Sequence, residues 1–427
     1  MGPAEKEINM VLEIKNVGLI ESASIELNGI TVITGHNNSG KSTVSKSLYC
    51  IASSFCDTYD LIRGHRISAI AHRTSHEVAE FLADNREKYK DDITLLSEYL
   101  AANQDSFDNK YRRGKEKKDE NAKERINDLS KYISNALAIS DEELMEGVFA
   151  RKLDVEFGMQ IHNLFGQSQF SELRMNAAGR KVFAHMEQND VSKLSEAIDI
   201  TSSVIYIDDV NILDKLDWHP AIRGYYRHFY LERGSHKDDL VHLLNVDSTE
   251  NPLIDEIFTA KKLGKVYELI NKACPGRVVY DKSSMKFVYT EGKLSNKVSL
   301  ANISTGIKSF TTIKTLLHNG GIKDGGIMIF DEPEIHLHPE WQLVYAQMIV
   351  LLHKEFNIRV LINSHSPYFV MAIEDYSEMH EVLDKCKFYL SESDGKSASF
   401  RDITDSTKEV YSKFLEPYQE LENVRYS

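Results

Sequence analysis

One stretch constrains the fold more than any other: Gly35-His36-Asn37-Asn38-Ser39-Gly40-Lys41-Ser42, a complete G-x-x-x-x-G-K-[ST] pattern. The apolar run Ile30-Thr31-Val32-Ile33-Thr34 precedes it and reads as a strand. From Ser42 onward Val44, Leu48, Ile51 and Phe55 recur on one helical face. A strand that feeds a glycine loop opening a helix turns backbone N–H groups and the positive helix end toward an anion. Residues Gly35 to Thr43 are therefore the expected cradle for the phosphates of ATP. Lys41 can reach the β- and γ-phosphates, and the Ser42 hydroxyl can join the shell of a Mg²⁺ ion.

A second site lies far downstream. Ile327-Met328-Ile329-Phe330-Asp331-Glu332-Pro333 is an apolar strand ending in two acids, suited to the centre of a parallel sheet beside the phosphate loop. Asp331 is expected to hold the Mg²⁺ water shell and Glu332 to polarise the attacking water. A further strand, Arg359-Val360-Leu361-Ile362-Asn363, delivers Ser364-His365-Ser366-Pro367. His365 is thereby a candidate γ-phosphate sensor coupling hydrolysis to conformation. Glu334, His336, His338 and Glu340 leave a metal site open as an alternative for the intervening loop. Ser304-Thr305-Gly306 opens a helical stretch, readable as a phosphate contact or as an ordinary cap by Ser304.

Elsewhere the chain is less specific. Val11–Ile14 and Ala23–Leu27 alternate like strands, and Asn28-Gly29 predicts a hairpin between the second of these and Ile30–Thr34. Val204–Ile207 reads as a buried strand. The charged run Lys110–Arg125 is either a solvated helical arm or a contact for nucleic acid, and Arg223–Tyr230 either an amphipathic helix or a stacking surface. Lys+Arg 51 against Asp+Glu 65 leaves a formal charge of −14, so nucleic acid would have to bind through such local basic patches. No apolar run reaches the length of a membrane span, and the N-terminus lacks a signal-like segment. Four cysteines form no C-x-x-C pair, which points to a reducing cytoplasm.

Phosphate loop, signature helix, acidic strand and switch histidine, in that order, resemble the ABC-class ATPase heads of SMC, RecF and OLD (overcoming lysogenisation defect) proteins. The long form Asp331-Glu332-Pro333-Glu334-Ile335-His336-Leu337-His338-Pro339, with Asn363–Pro367, is similar to OLD-type ATPases in particular. Stand-alone ATPases of bacterial anti-phage systems, Septu-like and PARIS-like, share this character. The resemblance implies an α/β fold: an ABC-type P-loop head with an N-terminal antiparallel β region, a mainly parallel core sheet and helical insertions. The expected head spans 9–65, 146–210 and 276–427, with insertions at 66–145 and 211–275. It further implies a head-to-tail ATP-sandwich homodimer in which Ser304 and Gly306, assisted by Lys308, meet the γ-phosphate held by a second subunit. Gln160 is the candidate coupling glutamine.

Spacing narrows the choice among these relatives. Lys41 to Asp331 spans 290 residues (331 − 41), too wide for a compact transporter domain. OLD nucleases carry a Toprim nuclease domain after the ATPase, whereas only 62 residues (427 − 365) follow His365 here. The resemblance thus implies a separate effector, a nuclease or toxin, as the expected partner. The alternatives are a RecF/SMC-like DNA-repair ATPase and an ATP-binding scaffold with little turnover.

Overall fold

The computed structural model describes residues 10–408 apart from 104–121, 164, 167, 169, 178, 188, 218–233, 246–263, 282 and 292–296. The basic runs around Arg112–Lys118 and Arg223–Tyr230 therefore lie outside the described residues.

Strands β1 (Val11–Val17), β2 (Ile20–Glu26) and β3 (Ile30–Gly35) lead into helix α1 (Lys41–Ser54). Helices α2 (Thr58–Ala71), α3 (His76–Asp84), α4 (Arg86–Tyr89), α5 (Ile93–Ala102), α6 (Ala122–Ala138) and α7 (Asp141–Phe157) follow. Next come β4 (Phe170–Ala177), β5 (Arg180–Glu187), β6 (Asp190–Leu194), β7 (Val204–Ile207) and α8 (His236–Asn245). The chain continues with β8 (Arg277–Asp281), β9 (Lys286–Thr290), β10 (Lys297–Ser299), α9 (Thr305–His318), β11 (Ile327–Asp331), α10 (Pro339–Phe356), β12 (Arg359–Ser364), α11 (Pro367–Met379), β13 (Lys387–Ser393) and β14 (Ala398–Asp402).

Eleven strands form one sheet in the order β6-β5-β4-β1-β2-β14-β13-β3-β12-β11-β7, and β10-β9-β8 make a small separate antiparallel sheet. Strand β3 runs parallel to both β12 and β13, while β11 runs parallel to β12 and β7. The β6-β5-β4-β1-β2 end is antiparallel. The fold is thus α/β, with a parallel centre and an antiparallel wing.

Burial explains the parallel centre. Along β11, Met328 and Phe330 enter one apolar core and Ile327 and Ile329 the other. Strand β12 repeats the pattern, with Val360 and Ile362 on one side and Leu361 on the other. Helices cover both faces, as continuous apolar strands require. The α1 stripe Val44, Leu48, Ile51 and Phe55 is fully buried on one face, and Phe310, Tyr345 and Phe369 from α9, α10 and α11 pack on the other.

Two regions depart from the simplest reading. The Asn28-Gly29 turn does not make a hairpin, because β13 and β14 from the C-terminal part separate β2 from β3. The true hairpin joins β1 to β2. Asn28 instead accepts a hydrogen bond from the Met10 amide at 2.9 Å, and an added Cβ at Gly29 would lie 2.6 Å from the Lys385 carbonyl oxygen. Within 66–145, Ile67, Leu82, Leu96, Ile133 and Leu137 share a small core of their own. In 211–275 the described residues Ile212, Leu216, Leu240, Leu244, Val266 and Ile270 belong to the main core.

Candidate nucleotide site

The phosphate loop hangs from β3, whose residues are all buried. Gly35 has φ +149°, and a Cβ there would fall 2.2 Å from the Ser391 carbonyl oxygen on neighbouring β13, so only glycine fits. The loop closes through Ser39, which donates to the His36 carbonyl at 2.7 Å and shares a 2.5 Å hydrogen bond with Ser391. Left-handed backbone at Asn38 (φ +59°) and Gly40 (φ +87°) turns the chain into α1. His36, Asn37 and Asn38 form the exposed tip, and Ser42 is exposed on the first turn of α1.

Lys41 lies inside this loop and is only 5% exposed. Among the described residues its ammonium donates to neutral oxygens: the carbonyls of His36 (2.7 Å) and Gly35 (3.1 Å), and Ser39 Oγ (3.4 Å). Among the described residues no acid stands within ion-pair distance of it. Burial lowers its pKa to about 8, against the opposing pull of Glu332, Asp331 and Glu334. A desolvated cation held by two carbonyls and a hydroxyl is short of an anion, which is the condition a polyphosphate relieves.

The C-terminal edge of the parallel strands supplies the acids. Asp331 pairs in register with Asn363. It accepts from Asn363 Nδ2 at 3.0 Å and from the Tyr206 hydroxyl at 3.1 Å. Asn363 Nδ2 also reaches Ser45 Oγ on α1 at 2.8 Å, so one amide ties the acidic strand to the phosphate-loop helix. Glu332 occupies the left-handed region (φ +52°), a conformation costing a residue with a Cβ about 1–3 kcal/mol. Its amide donates to the Asn363 carbonyl at 2.9 Å. Its carboxylate meets His365 Nε2 at 2.6 Å. The expected water activator and the expected reporter thus touch each other.

Glu334, considered only as a flank of a metal alternative, has a larger structural part. It is 4% exposed, and its Oε1 accepts from Ser364 Oγ (2.6 Å) and from the amides of His365 (3.2 Å) and Ser366 (3.3 Å). Burial raises its pKa, and these donors pull it back. The turn carrying His365 is thereby bolted to the loop after β11. Three acids within four residues after an apolar strand were the available signal. Among the described residues no three His, Cys, Asp or Glu side chains converge as a metal cluster, so His336 and His338 do not form one.

Ser42, Asp331 and Glu332 line one cleft of about 310 Å³, with Asp208, Asp209 and Asn211 on its wall. Asp208 and Asp209, which follow β7, had no motif to announce them. A cavity of about 650 Å³ on the antiparallel wing, lined by Glu13, Arg174, Lys181 and Phe183 among others, includes no phosphate-loop or acidic-strand residue. The donors of the smaller cleft fit Mg²⁺: a hydroxyl and a carboxylate are hard oxygen ligands, and Mg²⁺ takes one or two carboxylates plus substrate phosphates.

Other expected residues scatter. Ser304 is exposed and caps α9, accepting from the Ile307 amide at 3.4 Å. Gly306 is buried, where a Cβ would come 3.1 Å from the Trp341 ring. Lys308 does not share the exposure of Ser304; it is 3% exposed and spent on Asp214 (2.7 Å) and Asn211 (3.2 Å) of its own chain. Gln160 is exposed beyond α7 and outside the cleft lining. Its neighbour Ile161 accepts from the Gly18 amide at 2.9 Å, and Gly18 abuts Thr43.

The sequence matches AAA_15, an AAA ATPase domain, over residues 10–370. This chain belongs to that ATPase family. Among solved structures it is similar to an SMC head bound to the C-winged helix domain of ScpA, at 12% identity over 93% of this chain and 97% of that one, with TM-score 0.43. It is also similar to an SMC head domain from Thermotoga maritima (10% identity, 93% and 99% covered, TM-score 0.37). A third is an ATP-binding cassette of an ABC transporter, MJ1267, in its ADP conformation (11% identity, 94% and 95% covered, TM-score 0.32). Among the described residues no helix is long and apolar enough to cross a membrane.

Proposed function

We propose that this AAA_15 ATPase hydrolyses ATP with Mg²⁺ at composite sites of a head-to-tail homodimer and thereby regulates a separate effector, a nuclease or toxin of anti-phage defence, in the cytoplasm. The observation that carries the catalytic half is the 2.6 Å contact between Glu332 and His365 at the sheet edge beside the phosphate loop. Lys41 and the loop amides hold the phosphates, and Ser42 and Asp331 hold the metal, which neutralises charge developing on the transferred phosphate. Glu332 takes the proton of the attacking water while His365 stabilises and reorients that carboxylate. Because Glu334 bolts the His365 turn to the loop of Glu332, loss of the γ-phosphate is felt by both turns together. The exposed start of α9 at Ser304 suits a contact with nucleotide on a second subunit. The long acidic-strand motif Asp331–Pro339, similar to OLD-type ATPases, supports the effector role.

The test is Glu332→Gln. Steady-state turnover should fall by a factor of about 10²–10⁴, while ATP accumulates unhydrolysed on a dimer visible by native mass spectrometry. Lys41→Ala should abolish ATP binding and the dimer with it. Undiminished turnover in Glu332→Gln overturns the catalytic assignment. A monomer with ATP bound overturns the sandwich. Co-purification from the native host without a nuclease or toxin overturns the effector reading.

A further inference from the structure

Behind the cleft lies a charged node, built on buried His236 and Glu156, that the phosphate chemistry does not use. His236, the first residue of α8, is 5% exposed, and each of its ring nitrogens faces a carboxylate. Nδ1 lies 2.8 Å from both oxygens of Glu156 on α7, and Nε2 lies 3.0 Å from Asp208 Oδ1 on the cleft wall. The His236 amide also donates to Glu156 at 2.8 Å. The imidazole stacks on Tyr206 with centroids 4.2 Å apart and planes at 28°. Tyr206, 2% exposed, donates its hydroxyl to Asp331. The next turn of α8 reaches the phosphate-loop helix, where Tyr49 donates to Asp239 at 2.5 Å.

Such a node is a poor way to gain stability. Taking His236 and Glu156 out of water is costly before any attraction is counted, and well-packed apolar residues often serve as well or better. What the node does secure is geometry. Through a buried ring stack and an ion pair to the exposed Asp208, His236 touches both neighbours of Asp331: the tyrosine that bonds it and the aspartate beside it on the wall.

We propose that His236 is a positioning residue for the metal half of the site, holding Tyr206 against Asp331 and Asp208 at the cleft, and so linking the seat of helix α8 to metal binding. The inference rests on the reading of Asp331 as a metal ligand. Partners that orient a ligand residue without touching the metal commonly change metal affinity 10- to 100-fold when removed.

The experiment measures Mn²⁺ affinity by electron paramagnetic resonance in the presence of a non-hydrolysable ATP analogue, alongside metal-free affinity for the same analogue. His236→Ala should weaken Mn²⁺ binding about 10- to 100-fold and leave metal-free analogue affinity within about twofold. Added imidazole should restore part of the loss, which a merely structural cavity would not. Tyr206→Phe, which keeps the stack and removes only the hydroxyl on Asp331, should lose metal affinity in the same direction and guards against misfolding of the alanine variant. Asp331→Asn is the control. If it weakens Mn²⁺ binding while His236→Ala and Tyr206→Phe do not, the positioning role is wrong. If Asp331→Asn itself changes nothing, the metal reading beneath it is wrong.

Discussion

Raising the pH from 7 to 9.5 should loosen nucleotide binding through Lys41. Among the described residues its ammonium has no acidic partner in the loop, and burial brings its pKa down to about 8. Phosphate needs the charged form, so binding must draw a proton onto the amine whenever the pH exceeds that value. If only the ammonium engages phosphate, the apparent Kd grows by a factor of 1 + 10^(pH − 8), about 11-fold at pH 9 and roughly 30-fold at pH 9.5, or ~2 kcal/mol. The sign for folding is opposite. An unfolded lysine titrates near 10.5, so between about 8 and 10.5 the unfolded chain binds more protons, and this residue's effect on nucleotide-free stability becomes more favourable as pH rises. Titration calorimetry with a non-hydrolysable ATP analogue in two buffers of different ionisation enthalpy reads both the affinity and the proton uptake. Glu332→Gln removes the largest of the charges that hold the Lys41 pKa up, so its loss of affinity should begin at lower pH. Affinity that stays level from pH 7 to 9.5, with no proton uptake at pH 8.5, would refute the reasoning.

Three further outcomes follow from the geometry. Gly35→Ala drives a Cβ to 2.2 Å from the Ser391 carbonyl, and should cost about 1–3 kcal/mol in denaturant unfolding together with nucleotide binding. Leu48→Ala, on the fully buried face of α1 and remote from the phosphates, should lose about 2–5 kcal/mol of stability while Kd for ATP at low temperature is unchanged. Asn363→Leu removes the amide shared by Asp331 and Ser45, and should weaken Mn²⁺ binding about tenfold or more with metal-free analogue affinity kept, as read by electron paramagnetic resonance.

The features legible in the sequence are those whose physics is local. A glycine loop between a strand and a helix needs only its own dihedrals, and the buried stripe of α1 was visible from 3.6-residue spacing. The β11 and β12 strands were legible because a continuous apolar run can only be satisfied with both faces covered. Asn28-Gly29 misled for the opposite reason: its turn chemistry is right for a hairpin, but strands β13 and β14, far along the chain, compete for the same edges and occupy them. Lys308, which the resemblance makes an aid to the γ-phosphate contact, is held instead by Asp214 of its own chain, a partner no local pattern announces.

By itself, then, the sequence determined that a glycine loop joins a buried strand to a helix, that a strand ends in acids, and that a histidine follows the next strand. Only the tertiary structure decided that β12 lies between β3 and β11, which puts Asn363 within reach of both Asp331 and Ser45. The same packing pressed His365 onto Glu332, buried Glu334 beneath that turn, and brought Tyr206 and His236 up behind Asp331. Dihedral preferences and hydrophobic period act over a few residues and can be read in order along the chain. Strand neighbours and side-chain partners depend on which distant surfaces bury one another best, and that choice is made by the whole core at once.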